Sequence, residues 1–190
     1  MCWSANGSLA TWIAGMSLAL ASNRQYDPAL WNFMVLFTQM QLIEYFLWKD
    51  LNVPRLNANW SKVGLVAILL QPLAALLMIK NTNLRQKAVF AYGAWITTVM
   101  LTQKFNFITT VGGNGHLKWN WLIPSFWMAL PWFIFFLGGF WFSGERYFFA
   151  FAVATWLMST YFYQRYDTVS SMWCWVAISA WFMYLIASKK

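Results

Sequence analysis

Apolar residues in this chain come in long runs separated by short polar gaps. Seven runs stand out: 3–21, 29–48, 60–79, 88–107, 119–142, 147–164 and 169–188. A helix needs about 20 mostly apolar residues to cross a bilayer, with a range of roughly 17–25. The pattern therefore predicts an all-α integral membrane protein, a single transmembrane domain of seven helices with short loops. The second run starts after Asp27-Pro28, a turn that suits a helix start. The fourth is short, Ala88–Thr102, and reaches spanning length only when extended to Phe107. The longest connection, 103–118, holds Gly112-Gly113-Asn114-Gly115 and reads as a flexible turn. No soluble domain, long linker or low-complexity tail is expected.

Composition agrees. Of 190 residues, 61% are hydrophobic and 9% charged, against roughly 25% charged in soluble domains. Lipid, as solvent for the outer face, accommodates such a chain where water does not. The 15 Trp, 17 Phe and 8 Tyr fit as well, since Trp and Tyr favour the headgroup level. The mean hydropathy of +0.48 is modest because common hydropathy scales penalise Trp and Tyr. The net charge is +8, but the basic residues fall mostly in the gaps and form no basic face of useful length. That excludes nucleic acid as a partner and points to anionic headgroups. The lipid bilayer is the partner implied, and a homo-oligomer or a membrane-complex partner is compatible with it. Residues 9–21 end in Ala19-Leu20-Ala21, like a signal-peptide cleavage site, yet no Lys or Arg precedes them. They read as a retained first helix.

Seven spans put the termini on opposite sides. The Met1 side then carries Lys49, Arg55, Lys62, Lys104, Lys118 and Arg165, and the opposite side Arg24, Lys80, Arg85, Lys87, Arg146, Lys189 and Lys190. The compact run from Lys80 to Lys87 and the terminal lysines favour a cytoplasmic C-terminus and an outside N-terminus. Two N-x-S patterns, Asn6-Gly7-Ser8 and Asn59-Trp60-Ser61, lie on the Met1 side.

Polar residues inside the runs carry the candidate chemistry. Asp27, Asp50, Glu145 and Asp167 lie in gaps, and only Glu44 falls within a span. A carboxylate there costs on the order of 2.5–3.5 kcal/mol on insertion scales, so it turns to the bundle interior or to water. Thr38, Gln41, Glu44 or Tyr45, and Trp48 follow three-to-four spacing, one helical stripe. The alternating topology brings Glu44 to the Met1 side. There it meets the start of the first helix (Cys2, Trp3, Ser4, Asn6), the fourth loop (His116, Lys118) and the start of the seventh helix (Ser170, Ser171, Trp173, Cys174). Either His116 or Lys118 could pair with Glu44, or His116 could be a solvated loop residue. Gln71-Pro72 in the third run reads as a kink serving packing, a gate or a binding point. Pro124 and Pro131 admit the same readings. Cys2 and Cys174 share a side, which admits a disulfide. One His excludes a bis-histidine haem, no Lys lies in the seventh span for a retinal Schiff base, and no hydrolase, metal or phosphate-loop motif is present. No cofactor is expected, and a catalytic role using Glu44 and His116 is the least favoured reading.

Met1-Cys2-Trp3-Ser4, Met40-Gln41-Leu42-Ile43-Glu44-Tyr45-Phe46-Leu47-Trp48, Gln71-Pro72, Lys118-Trp119 and Met172-Trp173-Cys174-Trp175 together resemble an uncharacterised family. Its members are small multi-pass membrane proteins beginning MCWS, in large DNA viruses and unicellular eukaryotes. The resemblance implies no activity, but it groups the Cys2–Ser4 positions, Glu44 and the Trp173–Trp175 positions. A weaker similarity is to PQ-loop and SWEET-type sugar transporters, two three-helix repeats joined by a fourth helix. This chain has Gln71-Pro72 in place of their Pro-Gln, without a matching pair in helices five to seven. Two functions are therefore expected: a small transporter or channel-like protein with a polar site around Glu44, or a structural subunit, the anchor of a virion or large membrane complex.

Overall fold

A computed structural model describes residues 4–22, 27–122 and 126–187. Among the described residues seven helices form, and local chemistry starts several of them. Helix α1, Ala5–Ser22, is capped by Ser4, whose hydroxyl accepts the Gly7 N–H at 3.1 Å. Helix α2, Pro28–Lys49, has Pro28 in its first turn, and Asp27 accepts the Ala29 N–H at 2.8 Å. Helix α3, Pro54–Leu77, also starts on a proline. Helix α4, Thr82–Thr102, is capped by Asn81, which accepts the Leu84 N–H at 3.0 Å. Helices α5, Phe126–Ser143, and α6, Arg146–Tyr163, follow, and a 3-10 turn, Gln164–Tyr166, leads into α7, Val169–Ala187.

Side-chain contacts show that successive helices run up and down. Trp12 on α1 donates to Gln39 on α2 at 3.3 Å, and Trp31 on α2 reaches back to the Ala19 carbonyl at 2.8 Å. Phe33 meets Phe140 and Phe37 meets Phe136, so α2 and α5 are antiparallel. Tyr147 meets Tyr184 while Thr155 meets Trp173, so α6 and α7 are too. Helix α2 lies between α1, α3 and α7, with α5 and α6 completing the bundle. Helix α4 stands outside, against α3 and α5, and buries only Tyr92 and Val99.

Helices α3 and α5 run parallel and touch most closely where Gly139 packs on Ala75. A Cβ at Gly139 would stand 2.5 Å from the Ala75 backbone carbon. Small residues let backbones approach in this way. One turn earlier, Pro72 interrupts α3. Proline has no N–H, so the Ile68 carbonyl loses its helical donor. The Trp132 indole on α5 donates to that carbonyl at 3.0 Å, and the Tyr92 hydroxyl on α4 donates to the next one, Leu69, at 2.7 Å. Gln71-Pro72 is thus a packing junction that ties three helices together. Pro131 lies half-buried within α5, and Pro124 is outside the described residues.

Several expected boundaries are corrected. Helix α3 starts at Pro54 rather than at 60, because Pro54 supplies a first helical turn. Helix α4 starts at Thr82 and ends at Thr102, without extending to Phe107. Helix α5 starts at Phe126 rather than 119, since residues before it form a β-hairpin, β1 Thr109–Val111 and β2 Leu117–Trp119, paired antiparallel with Thr110 opposite Lys118. The expected flexible turn is the tip of this hairpin. It is closed by Gly112 N–H to the His116 carbonyl at 2.8 Å, with Gly115 at φ +78°.

The outer surface is strongly apolar. Phe90 and Leu101 on α4 are each 81% exposed and Tyr161 on α6 is 78% exposed; Ile13, Val66, Ile134, Leu157 and Phe182 are more than half exposed on other helices. Inside are polar side chains on five helices: Ser8, Thr38, Gln41, Glu44, Ser61, Gln71, Thr155, Ser159 and Ser171. Among the described residues, α3 is the one helix long and apolar enough, by length and composition alone, to cross a membrane.

Candidate functional site: a capped polar end of the bundle

The stripe read from the sequence faces inward. Thr38, Gln41 and Glu44 are buried, and Tyr45 and Trp48 are half-buried. Helix contacts fix what lies at the same height. Since Trp12 meets Gln39 across antiparallel helices, Ser8, one turn back on α1, stands level with Ile43 and Glu44. A Cβ at Gly64 on α3 would lie 3.7 Å from Ile43 and 2.8 Å from the Trp121 ring. Cys174 on α7 is buried as a free thiol within the field of the Glu44 carboxylate. Ser8, Gln41, Glu44, Cys174 and Trp121 thus converge near the Met1 end.

The hairpin closes that end. On one side it docks on α3 through a buried network. The Asn57 side chain donates to the Thr109 carbonyl and accepts the Thr109 N–H, both at 2.8 Å, and also donates to the Leu51 carbonyl at 3.0 Å. The Ser61 and Thr109 hydroxyls lie 2.9 Å apart, and the Trp121 indole donates to Thr109 at 2.8 Å. On the other side it is fastened to α7. Ser171 donates to the Leu117 carbonyl, Asn114 to the Thr168 hydroxyl, each at 2.8 Å, and Lys118 pairs with Asp167 at 2.7 Å. Beneath it Trp119 and Trp121 stack at 5.1 Å.

The expected site residues divide accordingly. Glu44, Gln41 and Cys174 share the interior. Lys118 does not pair with Glu44; it is partly exposed and its partner is Asp167, because the hairpin turns it toward the α6–α7 connection. His116 is buried rather than solvated, its ring edge-on to Tyr163 at 5.8 Å. Ser4 caps α1, and Asn6 is exposed on its first turn, so neither joins the interior. Gln71 is buried in mid-bundle, two turns along α3 from Gly64 on the same stripe. Cys2 and Trp3 lie outside the described residues, and with Cys2 the disulfide expectation. In the two N-x-S patterns Asn6 and Asn59 are exposed, while Ser8 and Ser61 are buried within their helices.

Sequence reading missed Asn57, Ser61 and Thr109. Pro54 was the available signal: a helix begun there places Asn57 and Ser61 at i and i+4 on one face.

Buried polar groups are ordinarily hydrogen-bonded. Here Gln41 and Gln71 are wholly buried, and neither end of either amide has a hydrogen-bond partner among the described residues. An amide offers both donors and acceptors, so this interior suits a small polar solute, a cation beside Glu44, or ordered water. Among the described residues no cluster of three potential metal ligands occurs. Comparison with protein-family models, with curated proteins and with solved structures finds no match to this chain.

Proposed function

We propose that this chain is a multi-pass membrane protein of seven spanning helices, a small transporter or channel-like protein whose polar site is built on Glu44 and Gln41. The helices are 18–24 residues long, or about 27–36 Å at 1.5 Å per residue, which suits a hydrocarbon core of about 30 Å. Large apolar side chains such as Phe90, Leu101 and Tyr161 are exposed while Gln41, Glu44 and Gln71 are buried, a combination that suits lipid as the surrounding solvent. Lys80, Arg85 and Lys87 support a cytoplasmic C-terminal side, with Met1 outside.

The observation that carries the reading is the Gln41 amide, fully buried beside Glu44 with neither end bonded within the described protein. Proteoliposomes loaded with sodium, potassium or pH-sensitive dyes would test it. Wild-type protein is expected to conduct one of these cations or protons, with Glu44→Gln and Gln41→Leu each lowering flux at least tenfold. Full flux from folded Glu44→Gln would remove the role given to Glu44. A second reading, a structural membrane subunit, is favoured by α4, whose exposed Phe90, Gly93 and Leu101 leave a face open for another helix. Absence of flux together with a stable homo-oligomer in mild detergent would favour it.

A further inference from the structure

A crevice of about 210 Å³ lies between α3, α5, α6 and α7, beside the Pro72 junction. Its floor is buried: Leu65, Leu69, Trp132, Trp173 and Cys174. Its rim is half-buried: Ala129, Phe133, Trp156, Val169 and Ser170. The lining is aromatic and aliphatic except for the Cys174 thiol, deep inside, and the Ser170 hydroxyl, at the first turn of α7. An apolar cavity of roughly 150 Å³ stays dry and takes up benzene, and this one is larger. Its rim is contributed by α5, α6 and α7.

We propose that this crevice holds part of one hydrocarbon chain of a membrane lipid, with the polar end of that lipid toward Ser170. The inference rests on the membrane-spanning reading given above. The crevice's apolar lining selects hydrocarbon over the polar solute proposed for the Glu44 site, and its volume admits part of one chain rather than a sterol or a folded peptide. Ser170 sits at the helix start, the height at which a headgroup or ester would lie in a bilayer.

The test is native mass spectrometry of the full chain released from nanodiscs of palmitoyl-oleoyl phosphatidylcholine. Wild-type protein is expected to retain one phospholipid after the loosely held shell is stripped. Ala129→Phe and Val169→Phe fill the crevice from opposite walls, and each is expected to lower that occupancy at least fivefold with helicity by circular dichroism unchanged. Equal retention by wild type and a folded variant, or no retention by wild type, overturns the proposal. If one variant misfolds, the other decides. Failure of the membrane reading shows separately: the protein would then stay in the aqueous phase without detergent and would not enter nanodiscs.

Discussion

The Pro72 junction gives a quantitative test of how the bundle is held. Pro72 deprives the Ile68 carbonyl of its helical donor, and the Trp132 indole replaces that donor from a neighbouring helix at 3.0 Å. Trp132→Phe keeps most of the ring but removes the N–H. A buried acceptor left unsatisfied costs about 1–3 kcal/mol; under the membrane-spanning reading proposed above the relevant scale is that of interhelical hydrogen bonds in membranes, which average about 0.6 and reach about 1.7 kcal/mol. A loss of about 1–2 kcal/mol is therefore expected with Pro72 present. In the Pro72→Ala background the helix can supply its own N–H to Ile68, and the same substitution should cost about 1 kcal/mol less. The indole also stacks on Phe136 at 4.9 Å, but that loss is common to both backgrounds and cancels in a double-mutant cycle. Equilibrium unfolding of the four proteins in mixed dodecyl sulfate and maltoside micelles supplies the numbers. Equal losses in the two backgrounds would refute the claim that the indole answers the proline.

Other parts of the fold are as open to test. Asn57→Ala strands the buried N–H and carbonyl of Thr109 and should cost about 2–5 kcal/mol, with faster amide hydrogen exchange at Thr109 and Val111; unchanged exchange would mean that the hairpin is held elsewhere. Gly139→Leu drives side-chain atoms into the Ala75 backbone and should cost about 1–3 kcal/mol or more, read as a lowered Tm beside a near-neutral Gly93→Ala, where a Cβ meets nothing. The Glu145 carboxyl, in the α5–α6 turn, is held above its ordinary value first by burial and then by Asp27, with Lys80 pulling it down. The folded state therefore binds the proton more tightly than the unfolded chain. Stability should be greatest below the ordinary carboxylate range and fall as pH rises through the raised folded value, and Glu145→Gln should flatten that slope in thermal melts.

The same contacts explain which features were legible in the sequence. Long apolar runs and punctuation such as Asp27-Pro28 belong to local physics, so seven helices could be read directly, whereas the Asn81 cap that starts α4 six residues early was passed over. An odd number of alternating helices then brought Glu44 and Cys174 to one end, and the three-to-four spacing of Thr38, Gln41 and Glu44 turned that stripe inward. None of this required a partner residue to be known. The hairpin did, because its three-residue strands are too short to leave a periodic signal and are held by Asn57, Ser61 and Ser171, which lie about 50 residues away in sequence. Pairings were hidden for the same reason. Charge alone made Lys118 a candidate partner for Glu44, but the hairpin register points it at Asp167, and the answer to Pro72 comes from Trp132 on a helix that is not its neighbour in sequence. Composition and periodicity determined that the chain folds into helices and which face of α2 turns inward. Only the tertiary structure decided which donors meet which acceptors, because a hydrogen bond depends on a distance and an angle that the order of residues does not contain.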